Sequence, residues 1–121
     1  MNDKKISEKI GQLLYNETPD PDKLTNLLVH INKNVTDMTL WVGKIKSKET
    51  GFSLSQEGNQ EIVKLTNELW GIYQEVPNSS WNVAHYMLSP EDQSFKIEFE
   101  NSKELENGKI AFWKYSKKHN S

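Results

Sequence analysis

Three histidines and two neighbouring glutamates are the residues of this sequence that could do acid–base or metal chemistry. The histidines are His30, His85 and His119, and none has a second histidine or a carboxylate three or four residues away on a predicted helix. A metal site would therefore need the fold to bring them together. Because catalytic histidines usually have an orienting partner, we interpret all three as structural, and we keep a ligand or general-base role of His85 as the less favoured alternative.

Glu98 and Glu100 stand two residues apart in a segment that alternates between apolar and charged residues. On a strand, two such carboxylates lie ~7 Å apart on one face, a spacing that acid–base chemistry could use. A solvated strand face shows the same pattern and is the favoured interpretation. The sequence contains no G-x-S-x-G, no glycine-rich phosphate loop and no H-E-x-x-H motif. We therefore predict no catalytic residue, no cofactor and no metal.

Composition restricts the possible classes of protein. The chain has 121 residues with a net charge of −2, and all 15 basic residues are lysine. Because arginine is the preferred residue for phosphate and base-edge contacts, its absence argues against direct binding of nucleic acid. The lack of cysteine excludes disulfides and thiolate zinc sites. No signal-peptide core and no apolar run of membrane-spanning length is visible, so we expect a cytoplasmic protein without a membrane partner.

The elements that must position these residues indicate an α+β fold in a single domain, residues 1–121. We predict an antiparallel sheet of four or five strands with the helices packed on one face. The elements are an N-terminal helix over 4–15, a hairpin over 24–43, a possible short strand at 52–54, a long helix over 61–76 capped by Asn59, and a hairpin over 81–100. The C-terminal aromatic segment is expected to dock on this sheet.

Charge and one tryptophan suggest a surface for a partner. The stretch from residue 91 to 106 carries six acidic residues against two lysines, and four lysines without an acid follow from Lys109 onward. Such a patch could steer a basic protein, although ordinary surface charge is an equally good interpretation. Trp41 is an exposed anchor if its strand face is wet, and a core residue if both faces of the sheet are covered. The candidate partner-binding residues are Trp41, Glu91, Asp92, Glu98, Glu100, Glu104 and Glu106.

Several short segments in this order resemble the YezG-like immunity proteins. They comprise an opening helix segment, a helix segment before a tryptophan-containing strand, that strand, the alternating strand and an aromatic segment near the C-terminus. The segments are Ile10–Asn16, Asn67–Trp70, Trp81–Asn82, Ser94–Glu100 and Phe112–Tyr115. The likeness extends over most of the chain.

This resemblance implies a function by binding. Proteins of the family are small cytoplasmic antitoxins that bind the toxic C-terminal domain of a polymorphic toxin, often a nuclease, including toxins of contact-dependent growth inhibition. It implies that this chain neutralises a cognate toxin by stoichiometric occlusion and is not an enzyme. Two alternatives stay open, a general protein-interaction adaptor and a small enzyme that uses His85, Tyr86 and Glu98.

Overall fold

The computed structural model describes residues 2–44, 46–90 and 94–117 of the chain. It confirms the predicted α+β class, with one four-stranded antiparallel sheet. In chain order the elements are α1 (Asp3–Glu17), β1 (Thr25–Asn32), β2 (Asn34–Val42), α2 (Gln56–Gln74), β3 (Val83–Ser89), β4 (Ser94–Glu100), α3 (Lys103–Glu106) and α4 (Phe112–Lys117).

The sheet has the order β2-β1-β3-β4, so β1 and β3 are central and β4 forms one edge. Both predicted hairpins are present, and β1 also pairs with β3 between them. Every residue of β1 except the last is buried. A strand that is covered on both faces shows no apolar–polar alternation, which is why its sequence fits a helix as well as a strand.

Helices α1 and α2 cover one face of the sheet. Ile6, Ile10 and Leu14 of α1 are fully buried, and they join the apolar residues of α2 and the sheet in one core cluster. Helix α2 begins at Gln56 because the Ser55 side chain caps it by accepting a hydrogen bond from the Gly58 amide at 3.0 Å. The predicted long helix is present, but it starts five residues before the expected residue 61 and is capped by Ser55 and not by Asn59. It ends at Gln74, two residues before the expected end.

The C-terminal segment covers the opposite face, so the expectation of helices on one face only was incomplete. Leu105 of α3 and Tyr115 of α4 are buried in a second cluster with Leu28, Trp41 and Val83. The two helices are short, and each contributes a buried residue to this cluster. The domain thus has three layers, with the sheet in the middle.

The predicted strand at 52–54 is not formed. Next to β2 the chain forms an isolated bridge between Gly51 and Trp41. The Phe52 amide donates to the Leu40 carbonyl at 3.2 Å, and the Val42 amide donates to the Thr50 carbonyl at 3.0 Å. Lys33, with φ of 71°, makes the turn between β1 and β2.

Candidate partner-binding surface

Glu98 and Glu100 lie on the edge strand β4, and both are exposed. Their side chains are on the sheet face that α3 and α4 partly cover, because their register partners are His85 and Val83. The Tyr115 hydroxyl of α4 donates a hydrogen bond to the Glu100 carboxylate. The structure therefore supports the interpretation of this pair as an exposed strand face, and it fixes the position of one carboxylate.

Glu104 and Glu106 follow on α3 and are also exposed. The short helix is attached to the start of β3 by reciprocal hydrogen bonds. The Asn82 side chain donates to the Ser102 carbonyl at 2.8 Å and accepts from the Ser102 amide at 2.7 Å. Ser102 also caps α3. The four exposed carboxylates of β4 and α3 are here named the carboxylate strip: Glu98, Glu100, Glu104 and Glu106.

Two lysines stand beside the carboxylate strip. Lys96 Nζ is 3.4 Å from Glu98, and Lys103 Nζ is 3.5 Å from Glu106. Exposed ion pairs of this kind contribute little to stability, because water screens them and both side chains stay mobile. The strip can therefore exchange these contacts for the cations of a partner.

Trp41 is not part of this surface. Its side chain is only 1% exposed and belongs to the second core cluster, where its ring centroid lies 5.5 Å from that of His85. The alternative in which Trp41 is an exposed anchor was therefore wrong. Glu91 and Asp92, which were also candidates, lie outside the described residues.

Trp113, in contrast to Trp41, is exposed. We expected Trp113 in the core, but α4 turns it outward and leaves it 56% exposed. Lys114 and Lys117 lie over its ring, with Nζ atoms 5.5 Å and 4.9 Å from the centroid. The helical spacing of the segment indicates this orientation. Phe112, Tyr115 and Ser116 lie on one helix face, which packs inward, so Trp113 faces outward.

The groups of the enzyme alternative do not converge. His85 and Glu98 are register partners on one face of the sheet. Tyr86 is fully buried on the other face, where its hydroxyl lies 3.0 Å from the Thr66 hydroxyl. Burial raises the pKa of Tyr86 far above its ordinary value, and the bond to Thr66 only partly opposes this.

Buried His30 and half-buried His85 both have structural surroundings. His85 Nε2 is 3.0 Å from Asn26 Oδ1. His30 Nδ1 is 3.0 Å from Asp37 Oδ2, and its ring stacks on Phe112 of α4 at 6.2 Å. Sequence reasoning missed the histidine–aspartate pair because only the register of β1 and β2 places these residues opposite each other. His119 lies outside the described residues.

One depression beside the carboxylate strip is lined by His30 and by Glu106 of the strip. Its volume is about 260 Å³, and Trp70, Trp81 and Asn82 are among its other lining residues. This volume is below the range of about 300–1,000 Å³ that is usual for sites of small organic ligands. Within the part of the chain that the structure describes, no three or more histidine, aspartate or glutamate side chains are placed to hold a metal ion.

Burial shapes the acid–base behaviour of the contacts near α4. It raises the pKa of Tyr115 far above its ordinary value, and the hydrogen bond to the Glu100 carboxylate and its charge add to this shift. The Lys46 ammonium donates to the Ser116 hydroxyl at 2.8 Å, and partial burial followed by the nearby charge of Lys117 lowers its pKa. Tyr115 therefore stays protonated and keeps donating to Glu100.

No family model and no curated protein matches the chain. The resemblance to the YezG-like immunity proteins therefore stays a prediction. Among the helices of the described ranges, none has both the length and the apolar character needed to cross a membrane.

Proposed function

We propose that the protein is an immunity protein of the YezG-like type, which neutralises the C-terminal domain of a cognate toxin by binding it. The observation that carries this proposal is the carboxylate strip, four exposed acidic side chains on consecutive elements at one edge of the domain. A toxin that acts on nucleic acid needs a basic cleft to hold phosphates. An acidic strip is complementary to such a cleft and would accelerate encounter with it.

Part of the strip is held in place before a partner binds, which favours binding. The Tyr115 hydroxyl holds Glu100, and the Asn82 side chain holds Ser102 at the start of α3. Side chains that are already ordered lose less conformational entropy when a partner docks. Occlusion of this kind needs shape and charge at the surface, and one inhibitor molecule would block one toxin molecule.

Trp113 supplies an apolar contact next to the strip. It is exposed on α4, the helix whose Tyr115 is bonded to Glu100. Tryptophan is enriched among the residues that contribute most to protein–protein binding. Its neighbours Lys114 and Lys117 would meet acidic groups at the margin of a partner. Acidic and basic groups on one surface would select both the charge of the partner and its orientation.

The first experiment tests the immunity function itself. An immunity gene is expected directly behind its toxin gene, so the product of the upstream gene is the partner to co-express. We expect the full-length protein to co-purify with that product in a 1:1 complex and to restore growth of cells that express the toxin domain. Absence of both the complex and the protection would refute the proposal.

The second experiment tests the surface. Reversing Glu98 and Glu100 to lysine should raise the dissociation constant at least tenfold, or ~1.4 kcal/mol, because two attractive contacts become repulsive. Glu49→Lys with Glu57→Lys is the matched control, since both residues are exposed and lie outside β4 and α3. A dissociation constant that is unchanged in the first variant, or equally raised in the control, would exclude the strip as the binding surface.

A further inference from the structure

The edge strand β4 has one long side that faces no other strand of the described chain. It pairs with β3 only, whereas the other edge strand, β2, is extended by the bridge from Trp41 to Gly51. Proline and glycine are absent from Ser94–Glu100. An edge of regular, proline-free backbone is a template on which another strand can add.

The sequence of β4 is complementary to itself. Phe95-Lys96-Ile97-Glu98-Phe99 reads the same in both directions, except that lysine and glutamate exchange places. If two copies pair antiparallel with a twofold axis at Ile97, each Phe95 faces Phe99 of the second copy and each Lys96 faces Glu98 of the second copy. Aromatic pairs and opposite charges are the cross-strand pairs that stabilise antiparallel strands.

Burial on the two faces of β4 agrees with such pairing. Phe95, Ile97 and Phe99 are only half-buried, whereas Ala84 and Tyr86 on the same face of β3 are fully buried. A second copy beside β4 would cover the exposed part of these apolar side chains. On the other face the side chains of Lys96 and Glu98 are 69% and 58% exposed, so both are accessible to a second copy.

We infer that two copies of this chain associate through β4 and form a continuous sheet of eight strands, four from each copy. The interface is isologous, so the Phe95–Phe99 and Lys96–Glu98 contacts each occur twice. The pairing uses the edge of β4 and shares Glu98 with the carboxylate strip, while Glu100, Glu104 and Glu106 stay on the strand face and on α3. Lys96 is not part of the strip, so Lys96→Glu tests the dimer without changing a strip carboxylate.

Charge variants test this inference with the intact protein. Lys96→Glu places two acidic residues opposite each other twice, and Glu98→Lys does the same with two lysines. Each single variant should raise the dissociation constant of the dimer at least about tenfold, because attractive cross-strand pairs become repulsive. Sedimentation equilibrium from about 1 µM to about 1 mM covers the range in which such dimers dissociate.

Mixing the two single variants distinguishes contacts between copies from contacts within one copy. In a mixed dimer each glutamate of the Lys96→Glu chain faces a lysine of the Glu98→Lys chain, so the mixture should dimerise more tightly than either variant alone. Lys103→Glu is the control, since it changes the same charge on α3 and should leave the dimer intact. Circular dichroism of each variant verifies folding.

Three results would overturn the inference. They are a wild-type protein that is monomeric up to about 1 mM, folded single variants that dimerise as tightly as wild type, and a mixture that stays monomeric. In the first case, the charged side chains of β4 would keep the edge unpaired. The measurement needs no toxin, so its outcome is independent of the proposed immunity function.

Discussion

Replacing Trp41 by alanine tests whether the C-terminal helices α3 and α4 pack tightly on the second face of the sheet. Trp41 is 1% exposed and is among the largest fully buried side chains of the domain. An aromatic side chain buries about 200 Å², which at about 25 cal/mol per Å² is equivalent to about 5 kcal/mol. Since alanine keeps a small part of this burial, we expect Trp41→Ala to lower the free energy of unfolding by about 3–5 kcal/mol. Domains of this size are stable by about 5–15 kcal/mol, so the effect is large.

Two further variants separate the causes of this loss. Trp41→Phe keeps an aromatic ring and removes the indole N–H, which is buried and has no hydrogen-bond partner within the described structure. Its cost should stay below about 1.5 kcal/mol, because removal of an unpaired buried donor partly offsets the lost volume. Trp113→Ala removes the same side chain from an exposed position and should cost at most about 0.5 kcal/mol.

The measurement is urea unfolding followed by far-UV circular dichroism. With a slope of about 1.5 kcal/mol per M, Trp41→Ala should shift the midpoint by about 2–3 M, while Trp113→Ala should hardly change it. If Trp41→Ala unfolds at the wild-type midpoint, α3 and α4 do not pack on Trp41, and Trp41 is available to a partner after all. If Trp113→Ala costs as much as Trp41→Ala, the orientation of α4 is wrong.

Three further predictions concern other contacts. Gly11→Val should cost about 1–3 kcal/mol in urea unfolding, because even the Cβ would lie 3.0 Å from the Phe95 ring; an unchanged midpoint would contradict this packing. Tyr86→Phe should reduce the alkaline sensitivity of the fold. Burial raises the pKa of Tyr86 in the folded state. Its contribution to the free energy of unfolding is therefore complete below pH ~10 and falls by ~1.4 kcal/mol per pH unit above pH ~10; a stability–pH profile of the variant parallel to that of wild type would refute this. Asn82→Ala should cost about 1–3 kcal/mol by removing two bonds to Ser102, and an intact stability would show that α3 is held by other contacts.

Elements whose pattern reflects their own surroundings were predictable. In β4, Phe95, Ile97 and Phe99 alternate with charged residues because one face packs on the helices and the other is exposed. Helix α2 repeats its apolar residues with helical spacing because one side packs on the sheet. The exposure of the four strip carboxylates followed from the same alternation and from the polarity of residues 101–108.

Other features could not be predicted from the local apolar pattern. The start of α2 was missed because Ser55 lies six residues before residue 61, where the helix was expected to begin, in a stretch without apolar periodicity. Phe52–Leu54 alternates like a strand, but the chain makes only one bridge to β2 there. The His30–Asp37 pair depends on the hairpin register, which a bulge between His30 and Ile31 shifts by one residue.

The sequence by itself determined the α+β class, the two hairpins, the long helix and the exposed carboxylates, because each of these follows from local periodicity and charge. Only the tertiary structure decided that the second face of the sheet is covered. That cover comes from α3 and α4, more than 60 residues beyond Trp41. Because burial depends on what docks against a face, the same docking put Trp41 in the core and left Trp113 exposed on α4.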